Sequence, residues 1–349
     1  MPPFSLIEAG VGRFELLPSA VERRGLPLNF TSDQTYLFSN ELVRRIESCE
    51  VFRIESLHIA GPIWVQWKYL RSLENYKPRQ GSVRQKKHRL YSSLQLLRPS
   101  IKIDQAIWIH DNWSEGYFHW LTDVCPKLMA WTKQSLPKLP VLLPFSFLSH
   151  SYVQDTLAAL DFPWIGFANA AHLYVRNLFV ISPVAPTGNY RADLLNEMAH
   201  IIRDYCFSKI DAGTSLPTRI WISRKDASKR YLVNEDEILS SLSGLAFSSV
   251  CLAGKTLSQQ ISLFAGASIL VSIHGNGLTN MIWLPPGSPV IEIRRRGDYT
   301  NNCYYSLAQA LGHRYYFLEA DDASGTGDTH TADLWLDPNS LMGLIQQIL

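Results

Sequence analysis

SIHGNGLTNMIWLPPGSPVIEI, residues 272–293, decides how the fold is read. A β-rich run, SILVSI, stops at His274. Gly275, Asn276 and Gly277 follow, then a short helical pattern, GLTNMIWL. Pro-Pro-Gly ends that pattern, and a second β-rich run, PVIEIRR, begins. Strand, turn, helix and strand in that order make a βαβ unit, which pairs its strands in parallel. The same alternation extends outward. Upstream lie TRIWISR, the helical NEDEILSSLSG, FSSVCLA and the helical TLSQQISLFAGA; downstream lie the helical YYSLAQALG and RYYFLEA. Short β-rich runs separated by helices predict a parallel sheet covered on both faces. Residues 190–335 are therefore expected to form a Rossmann-like domain. Residues 336–349 carry a last helix, 338–348, that packs on either domain.

The first half is less regular. Its 1–185 span ends in SPVAPTGNYRAD, 182–193, whose proline and glycine mark a linker. Within it, Val51–Ile59 alternates like a strand and AIWIH, 106–110, is a clear one. Phe118, Leu121, Cys125, Leu128 and Met129 recur at helical spacing, which predicts a helix from about Glu115 to Lys133, with Pro126 kinking or ending it. LPVLLP is a short buried strand, SYVQDTLAAL a helix, and LYVRNLFVIS one or two strands. The chain's 349 residues suit two domains, and a 46% apolar fraction supplies two cores.

Net charge is +2, so any anion site is local and a broad nucleic-acid footprint is not expected. Five scattered cysteines without a CxxC suggest reduced thiols, a cytoplasmic setting and no zinc site. The N-terminus does not read as a signal peptide, and no window approaches the roughly 18–20 apolar residues of a membrane span.

Three segments carry candidate chemistry. Ligands in open parallel sheets sit beyond the carboxyl ends of strands. His274, Gly275, Asn276 and Gly277 lie at such an end, where glycines admit a close ligand and free N–H groups favour an anion; a tight turn needing positive φ is the plain alternative. Glu292, between isoleucines, either accepts two ribose hydroxyls or pairs with Arg294 two residues on. Arg224, Lys225, Lys229 and Arg230 crowd the entrance to a helix capped near Asn234, which suits a diphosphate or is a solvated loop.

With the earlier NWSEGYFHWLTDVCPKL, these segments resemble glycosyltransferase family 61. The likeness lies in their order: N…HW…D…P, then SRK…R…NE, then HGNGLTN…LPPG..VIEI. It covers about residues 108–295. The resemblance implies an inverting transferase that uses a nucleotide-sugar and has α/β architecture, with two Rossmann-like domains facing each other across a cleft (GT-B). It implies a donor held mainly by the C-terminal domain and a glycan or lipid-linked acceptor approaching the N-terminal one. A role in bacterial surface polysaccharide synthesis is expected.

Inversion needs a base for the acceptor hydroxyl and a stabilised leaving diphosphate. The donor-side residues are Arg224, Lys229, Arg230, Asn234, His274, Gly275, Asn276, Gly277 and Glu292. The base is expected among Asp111, Glu115, His119 and Asp123; the last three stand four apart and so share one helix face, with His119 or Asp123 favoured. Asn112 orients the acceptor or caps the helix, and Trp113 and Trp120 offer faces for a sugar ring or fill the core. No DxD-type motif is evident, Asp321-Asp322 reads as a solvated loop, and metal-independent activity is expected. The basic loop Arg84–Arg89 (RQKKHR) meets an anionic membrane surface or lipid phosphate, or is simply solvated. The rival readings are a nucleotide- or glycan-binding protein without turnover and, lower, a Rossmann oxidoreductase, which lacks its GxGxxG.

Overall fold

The computed structural model describes residues 12–61, 63–66, 71–74, 94–208, 217–227, 229–325, 327 and 331–349. The basic loop Arg84–Arg89 lies outside these residues. The chain forms a mixed α/β protein. In its first half the strands are β1 (Gly12–Leu17), β2 (Ala20–Arg23), β3 (Val43–Ile46), β4 (Cys49–Ala60), β5 (Ile63–Gln66), β6 (Arg71–Glu74), β7 (Ile101–Trp108), β8 (Val141–Pro144), β9 (Trp164–Phe167) and β10 (His172–Ile181). The second half adds β11 (Arg219–Ile222), β12 (Phe247–Val250), β13 (Ile269–Ile273), β14 (Pro289–Arg295), β15 (Arg314–Asp322) and β16 (Leu334–Trp335).

Two compact units emerge, Met1–Ala20 with Glu47–Val184, and Val21–Ile46 with Ala185–Leu349. The linker expected at 182–193 contains the second break. The expectation that residues 1–185 form one domain needs correction, because Val21–Ile46 belongs to the second unit. Hydrogen bonds and rings hold it there. Phe38 is fully buried, its ring 4.9 Å from that of Tyr305 and 5.0 Å from that of Phe317. Asn29 closes a two-way bond with the Phe317 backbone, and Asn302 Nδ2 donates to the Leu37 carbonyl.

The first unit's sheet runs β6-β5-β4-β10-β7-β8-β9, with β1 also paired to β4. Only β10, β7, β8 and β9 are mutually parallel; β4 is antiparallel to β1, β5 and β10. A plain Rossmann sheet is therefore not what this unit has. The polar-apolar alternation along β4 gives it a wetter face, as antiparallel strands allow. Helix α1, residues 117–133, joins β7 to β8, and α2 (Ser151–Ala159) joins β8 to β9. Inside α1 the backbone widens into a π turn at Trp120–Val124, just before Pro126. Pro126 has no N–H for the carbonyl four residues back, and the wide turn absorbs that mismatch without ending the helix.

The second unit's sheet runs β12-β11-β13-β14-β15-β16, parallel from β12 to β15. This is the doubly wound order in which the chain steps from β11 outward to β12, then returns to β13 on β11's other side. Helices α3 (Ala192–Phe207), α5 (Leu257–Ala265) and α6 (Cys303–Ala310), with a 3-10 helix at Asn276–Trp283, form one packed group; α4 (Glu235–Ser241) and α7 (Pro338–Ile348) form another. Ile269, Val271, Ile273, Ile291 and Ile293 share a core with Ile238, Leu341 and Ile345, so the last helix belongs to this unit. Among the described residues no helix is long and apolar enough to cross a membrane.

Candidate functional site

The strand order places β11 beside β13, with Ile222 opposite Ser272. Arg224 and His274 therefore leave the sheet side by side, at its topological switch point. Arg224 donates from Nε to the Arg230 carbonyl and from Nη2 to the Lys229 carbonyl, each 3.1 Å away. These bonds curl the loop back and lay two guanidinium groups on Gly275. A Cβ there would come within 2.6 Å of Arg224 Nη1 and 3.5 Å of Arg230 Nη2. Gly275 has φ 157° and ψ 175°, a combination that glycine alone tolerates well. Gly277 packs closely too: a Cβ would meet Ile222 Cγ2 at 3.0 Å.

Among the described residues neither arginine makes an ion pair, and Arg230 Nε is buried without a partner. Burial, then the charge of Arg230, push the Arg224 guanidinium below its ordinary pKa. Arg230 holds φ at 61°, a strained conformation for a residue with a side chain. Two cations, a strained backbone and a bare glycine thus stand together at the switch point.

Glu292 has a different place from the one expected. It is fully buried, with Oε1 2.5 Å from His274 Nδ1 and Oε2 accepting from the Tyr315 hydroxyl at 2.5 Å. Both oxygens are occupied, so it orients His274 and does not reach a ribose. Its alternation with Ile291 and Ile293 points it to the sheet face away from the α4–α7 core. Arg294 does not take Glu292 as its hydrogen-bond partner; it donates to Asn302 Oδ1 at 2.9 Å and to the Asp298 carbonyl at 2.5 Å.

Asn234 also needs correction. Its amide exchanges bonds with the Leu336 backbone and reaches Glu237, tying α4 to the last strand. Lys225 pairs with Asp236 at 2.5 Å. Lys229 is exposed and contributes its carbonyl to Arg224. Asn276 is exposed at the start of the 3-10 helix. Asp321 bonds Arg296, and Asp322 accepts from the backbone of Ser324, Gly325 and Gly327. That pair of acids closes its own loop.

In the first unit, His119 Nδ1 lies 2.8 Å from Asp123 Oδ2 across the π turn. The carboxylate accepts, so Nδ1 carries the hydrogen and Nε2 is left to receive a proton. Glu115 is not part of this pair. It precedes the helix, which begins at Tyr117, and its carboxylate sits 3.4 Å from His150 Nε2. Trp113 is 71% exposed, with its ring 6.0 Å from that of His119. Its backbone is fixed by Asp111, whose Oδ1 accepts from Trp113 N and Ser114 N. Trp120 is fully buried and donates to Thr156 Oγ1 at 2.7 Å, so it serves the core and not an acceptor. Asn112 is exposed in the turn and does not cap the helix; Gly116 holds that position.

Two buried ionisable residues behind this pair escaped the sequence reading. Lys127 donates to the Ile109 carbonyl at 2.7 Å, and burial lowers its pKa against the pull of Asp111 and Asp123. His110 stacks on Trp108 with ring centroids 4.1 Å apart, and burial, then Lys127, push it down to about 3. Lys127 extends the four-residue spacing of His119 and Asp123 by one step, which was a usable signal. All five cysteines are free.

A family model described as Glycosyltransferase 61 matches residues 117–291. Beta-1,2-xylosyltransferase XAX1 of Oryza sativa subsp. japonica is 30% identical over 165 residues, 44% of this chain and 29% of that protein. The EGF domain-specific O-linked N-acetylglucosamine transferase of Drosophila melanogaster is 31% identical over 96 residues, 27% of this chain and 18% of that protein. Its Bos taurus counterpart is 26% identical over 102 residues, 28% and 19% of the two chains. The match spans less than a third of each relative's length.

Proposed function

This chain belongs to the glycosyltransferase 61 family, whose match takes in half of it, and from that premise we propose that it transfers a sugar, with inversion, from a nucleotide-sugar to a hydroxyl of a glycan or glycolipid acceptor. The observation that carries the reading is the pair of unpaired guanidinium groups of Arg224 and Arg230 on Gly275. A diphosphate is the leaving group of such a donor. Its negative charge grows as the bond from the sugar's anomeric carbon to the phosphate oxygen breaks. Cations fixed beforehand where that charge develops stabilise the transition state without reorganising.

His119 is the proposed base. Asp123 holds Nδ1, and Nε2 takes the proton of the acceptor hydroxyl as its oxygen attacks the anomeric carbon. Trp113 supplies an exposed indole for a sugar ring beside that histidine. The two arginines supply the charge that a divalent ion would otherwise bring, so turnover should survive exhaustive chelation. A strict requirement for manganese or magnesium would count against this part of the scheme.

The donor reading is tested by thermal shift with UDP, GDP, CDP and TDP. A ligand at 100 times its Kd stabilises by about 2.7 kcal/mol, which is a clear shift in melting temperature. No shift with any of them at millimolar concentration would overturn the reading. Binding without sugar transfer, across donors and acceptors, would reassign the protein as a nucleotide binder.

A further inference from the structure

His274 sits between the two halves of the donor turn's chemistry: the arginines on Gly275 and a buried acid behind. Its Nδ1 meets Glu292, and Glu292's second oxygen is taken by Tyr315. Burial pushes the Glu292 carboxyl up. The charge and hydrogen bond of His274, then Arg294 and Tyr315, outweigh burial and hold it below its ordinary range. An ionised acceptor at Nδ1 fixes that nitrogen as the donor. Among the described residues His274 Nε2 takes no hydrogen-bond partner, and the side chain is 12% exposed. The charged and titratable groups around the ring, its acid and the turn are Tyr304 on α6 against the ring, Arg294 on β14, Tyr315 on β15 and Cys303 on α6 around Glu292, and Arg224 and Arg230 on the β11 loop against Gly275. With Nδ1 protonated, Nε2 donates a hydrogen bond only when the imidazole is also protonated there.

We infer that His274 is the third cationic contact for the leaving diphosphate, donating from Nε2, so that the grip on the phosphate is linked to a proton. This rests on the donor reading above. The buried Glu292 is then the positioning residue that keeps the ring turned and its charged form tolerated. As the sugar–phosphate bond breaks, its electron pair stays on the phosphate oxygen and the Nε2–H bond to that oxygen strengthens. A ligand that prefers the imidazolium raises its pKa. This contact therefore favours binding most where the imidazole is protonated, and its share of the affinity falls as pH rises. The terminal phosphate's own ionisation acts with the opposite sign, so the histidine's share is the difference between the wild type and a variant without the imidazole.

Calorimetric titration of UDP, GDP, CDP and TDP from pH 5.5 to 8.5, in two buffers of different ionisation enthalpy, tests this. Relative to His274→Gln, the wild-type protein should take up more protons on binding and lose about tenfold more in affinity from the low to the high end of this window, one pKa unit per decade. His274→Gln should show only the phosphate's own proton release, with an affinity near the wild-type value at high pH. Glu292→Gln should lie between the two. A net proton change that is the same in the wild type, His274→Gln and Glu292→Gln overturns the inference; if the variants do not fold, so does wild-type binding of a nucleotide-sugar, whose esterified diphosphate does not titrate in this window, without proton uptake. Either result leaves the donor reading standing, whereas absence of any nucleotide binding removes both.

Discussion

Arg224 Nε donates to the Arg230 carbonyl, so the side chain of one cation fixes the backbone of the next. The arrangement holds Arg230 at φ 61° beside a like charge. Neither feature helps the protein fold. Arg230→Gly should therefore leave the melting temperature unchanged or higher while diphosphate affinity falls at least tenfold. Arg224→Met should lose affinity and also free the loop. Losing either donor should raise the barrier to transfer by about 3–4 kcal/mol. Calorimetric binding and a thermal melt on each variant check this; a structural arginine would give a lower melting temperature and unchanged affinity.

The two glycines of the turn should separate in the same assays. Gly275→Ala puts a methyl group 2.6 Å from Arg224 Nη1, on a backbone that disfavours it. Its main effect should be on nucleotide affinity. Gly277→Ala presses on Ile222 at 3.0 Å. Its cost should be in stability, about 1–3 kcal/mol as for other overpacked sites, read by denaturant unfolding.

Asp123→Asn keeps the shape of the His119 pair but offers an amide where a carboxylate held the proton. Turnover should fall about 10²–10⁴-fold for His119→Gln, the usual worth of a general base, with Asp123→Asn close behind. Glu115→Gln should be nearly silent, because Glu115 lies outside the pair. Steady-state kinetics on the three variants decide this.

The two tryptophans predict opposite phenotypes. Trp120→Ala empties a buried site and leaves Thr156 without its donor, so unfolding should be easier by about 3–5 kcal/mol. Trp113→Ala removes an exposed ring, so stability should hold while acceptor KM rises. Melting temperature and acceptor titration measured side by side would show it.

His110 links the first unit's stability to pH. Its pKa in the fold is about 3, against an ordinary value of 6.5. The unfolded chain binds the proton first, so this contribution is full above pH 6.5 and is lost as pH falls toward 3. The limiting size is on the order of 5 kcal/mol, from about 1.4 kcal/mol per unit. His110→Phe should flatten the acid limb of an unfolding curve between pH 6 and 4.

Regular alternation made the second unit's helices and strands legible before any coordinate, and helical spacing did the same for 117–133. Strand order did not show in the sequence. Only pairing of β11 with β13 puts Arg224 against Gly275, and no local pattern encodes which strands become neighbours. The fate of the two tryptophans was hidden for a related reason. Trp113 precedes the first helical residue, Tyr117, while Trp120 lies on the buried face of the helix. Glu292 misled because a charged residue in a strand suggests a ligand, whereas His274 and Tyr315, distant in sequence, had already claimed its oxygens.

Val21–Ile46 has a consequence for how the molecule is made. The ribosome releases this segment well before Tyr305, Phe317 and Asn302, which close around it; Asn302 follows Leu37 by 265 residues. Until then Phe38 has no cavity to enter, and the segment must wait as an unfilled loop beside whatever has already condensed. The second unit is completed by a docking event between segments made far apart in time, which makes that step the natural point for a chaperone to intervene.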